Sequence, residues 1–252
     1  MKHKQHNSNG MKRHVRILPV FLVAMVGLIL GATVPEIWAF EDTSIKWEVN
    51  ATDKDAGIQI FLDGEGWKDV TIDAPNGREV FSAEVKGRLA NFGGTELFLE
   101  TAEPEYQNLT KLKQLLNKVP TGDYDFSGTT VDGDDLEGEA TLTRIIPSGP
   151  VIITPSAPGN QCGEVETTDA VISWQSVTKS IFGGPITIVG YEVIVEQEDL
   201  GLKFSAKLPP TTTSLTISPE FLEADTEYKF EVLAIEGSGN QTITESCFET
   251  SG

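Results

Sequence analysis

From Ile45 to Ile146 apolar residues mostly alternate with polar ones. A period of two places every second side chain on one face of an extended strand. A long run of it therefore selects sheets that are buried on one side and wet on the other. Ile45, Trp47 and Val49 form the first set, followed by Ile58, Ile60 and Leu62, then Trp67, Val70 and Ile72, then Phe81, Ala83 and Val85. Asp63-Gly64-Glu65-Gly66 and Pro75-Asn76-Gly77 supply turn chemistry between sets. Leu97 and Leu99 begin a further strand, and Tyr124, Phe126 and the run from Leu136 to Ile146 continue the pattern.

One segment departs from it. Leu109, Leu112, Leu115, Leu116 and Val119 recur three and four apart, with Asn108 placed to cap and Pro120 to stop. That spacing predicts one short amphipathic helix laid over an open end of the first sandwich.

Ahead of the strands, Lys2, Lys4, Lys12, Arg13 and Arg16 precede an apolar run from Ile17 to Val34. This charge-then-apolar order predicts an export signal over residues 1–39, cleaved after Ile37-Trp38-Ala39. The chain is then secreted or periplasmic, with no membrane insertion after cleavage. The alternative is an uncleaved segment that tethers the protein to a membrane, since its length just reaches what a bilayer requires. Removing residues 1–39 takes away five bases and one acid, which moves the formal charge from −19 to −23. Such a field disfavours nucleic acid as a partner. His3, His6 and His14 also leave with the segment. The expected mature chain thus has no imidazole for a catalytic triad, a general base or a His-ligated metal.

After a first domain over residues 40–146, Pro147, Gly149, Pro150, Pro155 and Pro158 punctuate a linker into a second domain that ends at residue 252. Val171-Ile172-Ser173-Trp174, Tyr191 to Val195, Ser214 to Ile217 and Thr226 to Ile235 read as its strands. Their order and spacing resemble the fibronectin type III family, with Trp174, Tyr191 and Leu222 at family positions and Tyr228 at the tyrosine corner. The resemblance implies an immunoglobulin-like seven-strand sandwich used as a spacer or recognition module, and it implies no ligand. The loop Glu236-Gly237-Ser238-Gly239-Asn240 lacks the Arg-Gly-Asp tripeptide that some members carry there. Ile181 and Phe182, in the loop from Gln175 to Ile186, together with Gly237 and Asn240, are the candidate contact residues. Cys162 and Cys247 fall near one pole of the resembled topology, and export favours their pairing as a disulfide, a bridge outside the family pattern. The first domain resembles the region that precedes such modules in uncharacterised secreted bacterial proteins.

Several short motifs carry possible chemistry. Asn50-Ala51-Thr52-Asp53-Lys54-Asp55 looks like a cadherin calcium junction, which makes Asn50, Asp53, Asp55 and Asp63 a candidate Ca²⁺ set against the alternative of a solvated turn. Asp123 to Asp134 fits an EF-hand loop only partly, because its residues alternate as in a strand. Gly133 to Gly138 has phosphate-loop spacing without the required Lys. Trp47 and Trp67 fit a sugar-stacking face less well than a core. The sequence thus predicts an all-β chain of two sandwich-like domains. Its expected role is non-catalytic recognition or scaffolding of a protein or cell-surface partner, with no cofactor. The alternatives are a calcium-stiffened or carbohydrate-binding module, and then a carboxylate-dependent hydrolase.

Overall fold

The computed structural model describes residues 37–159 and 161–251. The apolar run and the rest of the expected leader lie outside the described residues. Ile37–Ala39, assigned from sequence to the leader, forms strand β1, and Phe40 follows with its N–H bonded to the Glu137 carbonyl at 2.9 Å.

The first half of the chain continues with β2 (Asp42–Asn50), β3 (Asp55–Asp73), β4 (Glu79–Glu84) and β5 (Gly94–Glu100). A helix α1 (Leu109–Leu116) then leads to β6 (Gly122–Thr130) and β7 (Asp135–Leu142). The Asp63-Gly64-Glu65-Gly66 stretch, expected to be a turn, is instead the middle of the 19-residue strand β3. Before it, β3 pairs with β2 on one edge and β5 on the other; beyond it, with β6 and β4. The register shifts between Asp63 and Trp67, where glycine relieves the bend. Gly93 presses on this point in a left-handed conformation (φ 72°), and a Cβ there would stand 2.8 Å from the Gly66 backbone. The bent sheet curls until β7 returns beside β2, where the Thr43 hydroxyl donates to the Glu139 carbonyl at 2.9 Å.

Alternation does its expected work inside. Trp47, Val49, Leu62, Trp67, Val70, Ile72 and Phe126 are buried in one core, so both tryptophans pack inward. Helix α1 lays Leu112 and Leu116 on that core with no exposure. Its Asn108 side chain caps the Lys111 N–H at 3.1 Å, and Arg144 ties down the other end by donating to the carbonyls of Leu116 and Val119.

The second half comprises β8 (Val151–Thr154), β9 (Gly163–Glu166), β10 (Val171–Gln175), β11 (Ile188–Gln197), β12 (Leu202–Leu208), β13 (Ser214–Thr216), β14 (Glu227–Glu236) and β15 (Gln241–Ser251). One layer is β13-β10-β8 and the other runs β12-β11-β14-β15, with β9 added in parallel to the end of β15. Trp174 and Tyr191 meet in the core with ring centroids 5.4 Å apart. The Tyr228 hydroxyl accepts from the Glu223 N–H at 2.7 Å, which closes the corner. Cys162 and Cys247 form a disulfide.

The two sandwiches share a sheet. β15 pairs in parallel with β2, matching Gln241, Thr242 and Ile243 to Glu48, Val49 and Asn50, so twelve strands join into one sheet and the described chain forms a single compact unit. No helix among the described residues is long and apolar enough to cross a membrane.

Candidate functional site

The seam between the sandwiches gathers two of the polar residues singled out from sequence, Asn240 and Asn50. Asn240, expected at a free loop, is fully buried. Its Oδ1 accepts the Trp47 N–H at 2.8 Å, and its Nδ2 donates to Thr143 Oγ1 at 2.8 Å, the Ile145 carbonyl at 3.1 Å and Ser238 Oγ at 3.1 Å. The side chain thereby adds one rung below the β2–β15 ladder. Ile181, the other expected contact residue, packs on the first core and donates its N–H to the Ile146 carbonyl at 2.9 Å. Asn240 is wholly enclosed, while Ile181 keeps part of its surface exposed. Phe182 stays solvent-facing, and Gly237 lies in the turn before β15. Gly149 makes the close approach possible, since a Cβ there would come 2.7 Å from both Ala51 Cβ and Thr244 Oγ1.

Of the expected calcium set, Asn50, Asp53 and Asp55 share the tight turn between β2 and β3, and Asp63 does not join them. Asn50 Oδ1 is taken by the N–H groups of Thr52 and Asp53, and its Nδ2 bonds the Glu245 carboxylate across the seam. Asp63 stands eight residues from Asp55 along an extended ladder, about 26 Å at roughly 3.3 Å per residue. The EF-like stretch Asp123 to Asp134 is strand β6 and the turn after it.

A different acidic group converges instead. Glu48 on β2, Glu100 at the end of β5 and Glu103 just beyond it bring one carboxylate oxygen each within 4.8 Å of one another. Gln241 donates to Glu48, and Gln59 to Glu100 at 2.8 Å. Partial burial, then the charges of Asp55, Glu100, Glu48 and Glu245, push Glu103 up to about 7. Burial also raises Glu48 and Asp55. This triad can share a proton or a divalent cation. A second cluster, Cys162, Glu227 and Cys247, has its sulfurs locked in the disulfide and offers no thiolate. On the same broad face Glu231 is pushed up to about 7 by burial and then by Glu245 and Glu196. The depression beside it encloses about 170 Å³, below the roughly 300–1,000 Å³ of small-molecule sites, and burial with crowding by like charges accounts for the shift.

None of Glu103, Glu100 and Glu231 was singled out from sequence. In a chain with 38 acids no one-dimensional signal separates them; only the strand register does.

One family comparison agrees with the second sandwich. The fibronectin type III domain family matches residues 156–249. With the strand order above, this part of the chain is a fibronectin type III domain. Among solved structures, a two-domain fibronectin type III segment of chicken tenascin is 10% identical, with a TM-score of 0.31 over 84% of this chain and 99% of that one. The first to third such domains of chicken CNTN1 are 12% identical, with a TM-score of 0.33 over 86% and 66%. A myokine structure is 21% identical, with a TM-score of 0.31 over 44% and 100%. No curated protein sequence matches the chain.

Proposed function

We propose that this chain is an exported, non-catalytic recognition or scaffold protein that presents two sandwiches as one stiff body to a protein or surface partner. The observation that carries this reading is the seam: parallel pairing of β2 with β15, reinforced by Asn240 and Gln241, turns two domains into a single broad sheet. The fibronectin type III domain and the disulfide fit an extracellular setting. The test is retention of labelled full-length protein on intact cells and isolated cell envelopes. Saturable retention with no release of sugar or peptide fragments is the expected result. Fragment release, or retention that does not saturate, overturns the reading.

A second reading, a calcium-stiffened module, draws on the Glu48–Glu100–Glu103 triad rather than on Asp53 and Asp63. Its expected signature is a rise in melting temperature in millimolar calcium that disappears in Glu103→Gln and persists in Asp53→Ala. No rise in calcium sets it aside.

A further inference from the structure

Among the lysines on the described strands, Lys203 and Lys229 hold carboxylates at 2.8 and 2.7 Å. Lys46 and Lys207 make no such ion pair. Lys46 on β2 packs its stem against Gly239 and donates only to the Gln241 side-chain carbonyl, at 3.2 Å. Lys207 on β12 is exposed and forms neither an ion pair nor a hydrogen bond through its ammonium. The acid opposite it in the ladder, Glu192, accepts the Ser205 hydroxyl instead, at 2.6 Å.

These two unpaired ammonium groups line one cleft of about 320 Å³, formed where the outward face of β2, β3 and β5 meets the β12 side of the second sandwich. The volume lies at the lower end of small-molecule sites, roughly 300–1,000 Å³, and a junction between two domains is where such sites concentrate. The cleft also holds two aromatic rings. Phe61 and Phe98 are directly opposed in the β3–β5 ladder and point away from the core, and Phe98 is 59% exposed. Ser44 and Asp42 complete the wall with a hydroxyl and a carboxylate.

We propose that this cleft binds an acidic saccharide of the hexuronate type, with the sugar ring laid on Phe98 and Phe61 and its carboxylate between Lys46 and Lys207. Each feature answers one part of that ligand. The paired ammonium groups answer the carboxylate, the rings answer the apolar face of a pyranose, and Ser44 and Asp42 answer its hydroxyls. Burial lowers the Lys46 pKa and the repulsion of the Lys207 charge adds to that, while Glu48, Glu192 and Glu100 oppose it. An anion between the two lysines removes that repulsion. The proposal rests on the recognition reading and names the ligand class for it.

The test is calorimetric titration of the full chain with an oligogalacturonate, the neutral cello-oligosaccharide of equal length, inorganic sulfate and a polyglutamate peptide. Oligogalacturonate is expected to bind at least tenfold tighter than any of the other three, and to weaken as salt rises. Lys207→Glu and Phe98→Ala are both expected to weaken it tenfold or more while the melting temperature stays within 2 °C, since both side chains are exposed. Equal binding of the neutral oligosaccharide, or unchanged affinity in both variants, overturns the proposal. Tighter binding of polyglutamate makes the cleft a peptide site, and equal competition by sulfate reduces it to a simple anion site; either result also overturns it. If envelope retention is the same in wild type and Lys207→Glu, the recognition reading stands and this cleft is not its site. If retention fails while oligogalacturonate still binds, the recognition reading falls and the cleft remains.

Discussion

Replacing Asn240 by alanine tests the seam at its most committed side chain. The change strips the acceptor from the Trp47 N–H and the donor from the Ile145 carbonyl, two backbone groups that the surrounding sheet leaves without another partner. Thr143 and Ser238 lose less, because their hydroxyls remain 2.7 Å apart and can satisfy each other. An orphaned buried N–H costs about 1–3 kcal/mol and the part-buried Ile145 carbonyl adds less, so the two together cost about 2–4 kcal/mol. For a chain of this size, at about 2–4 °C per kcal/mol, the expected fall in melting temperature is about 5–15 °C. Differential scanning calorimetry reads it, and amide exchange at Trp47 should accelerate in parallel. Asn240→Asp keeps the acceptor for Trp47 but sets a second acceptor against the Ile145 carbonyl. It should therefore melt lower at pH 8 than at pH 4, where the carboxyl can be protonated. An alanine variant that melts within 1 °C of wild type, with Trp47 exchange unchanged, would refute the view that this side chain joins the sandwiches.

Three further outcomes follow from the same geometry. Removing the disulfide with Cys162→Ala and Cys247→Ala opens a loop of sequence separation 85, and a thermal melt should show about 2–4 kcal/mol lost from the second sandwich. Glu103 and Glu231 rise from the ordinary 4.5 to about 7 on folding, so the folded state favours their protonated forms. Their stabilising effect is complete below about pH 4.5 and is lost as pH climbs through 7, so Glu103→Gln and Glu231→Gln should flatten the decline in melting temperature between pH 4.5 and 8. Leu112→Ala empties a fully buried site beneath helix α1 and should cost about 2–5 kcal/mol by denaturant titration.

Residues whose placement follows from local pattern were legible in the sequence. Trp47, Ile72 and Phe126 alternate and go inward, Asn108 caps α1, and Trp174 with Tyr228 marks the second sandwich. What escaped was decided by neighbours distant in the chain. Gly64 and Gly66 have the composition of a turn, and whether such a stretch reverses the chain or bends a continuing strand depends on which strands flank it. Asn240 has the look of a loop-tip residue until β2 arrives from nearly two hundred positions away. Phe61 and Phe98 obey the alternation, but only the closed register shows that their face opens toward a cleft with Lys207 rather than toward a core.

The location of β15 has a mechanical consequence. It is held by β14 along Gln241 to Glu249, by β2 at its start and by β9 at its end. Tension applied at Ser251 runs along the strand and loads the hydrogen bonds on both flanks at once, in shear rather than one by one as in an unzipping edge. The disulfide at Cys247 stops extraction partway, because it ties the strand covalently to the segment ahead of β9. A body built this way resists being pulled from that side by sharing the load across both sandwiches.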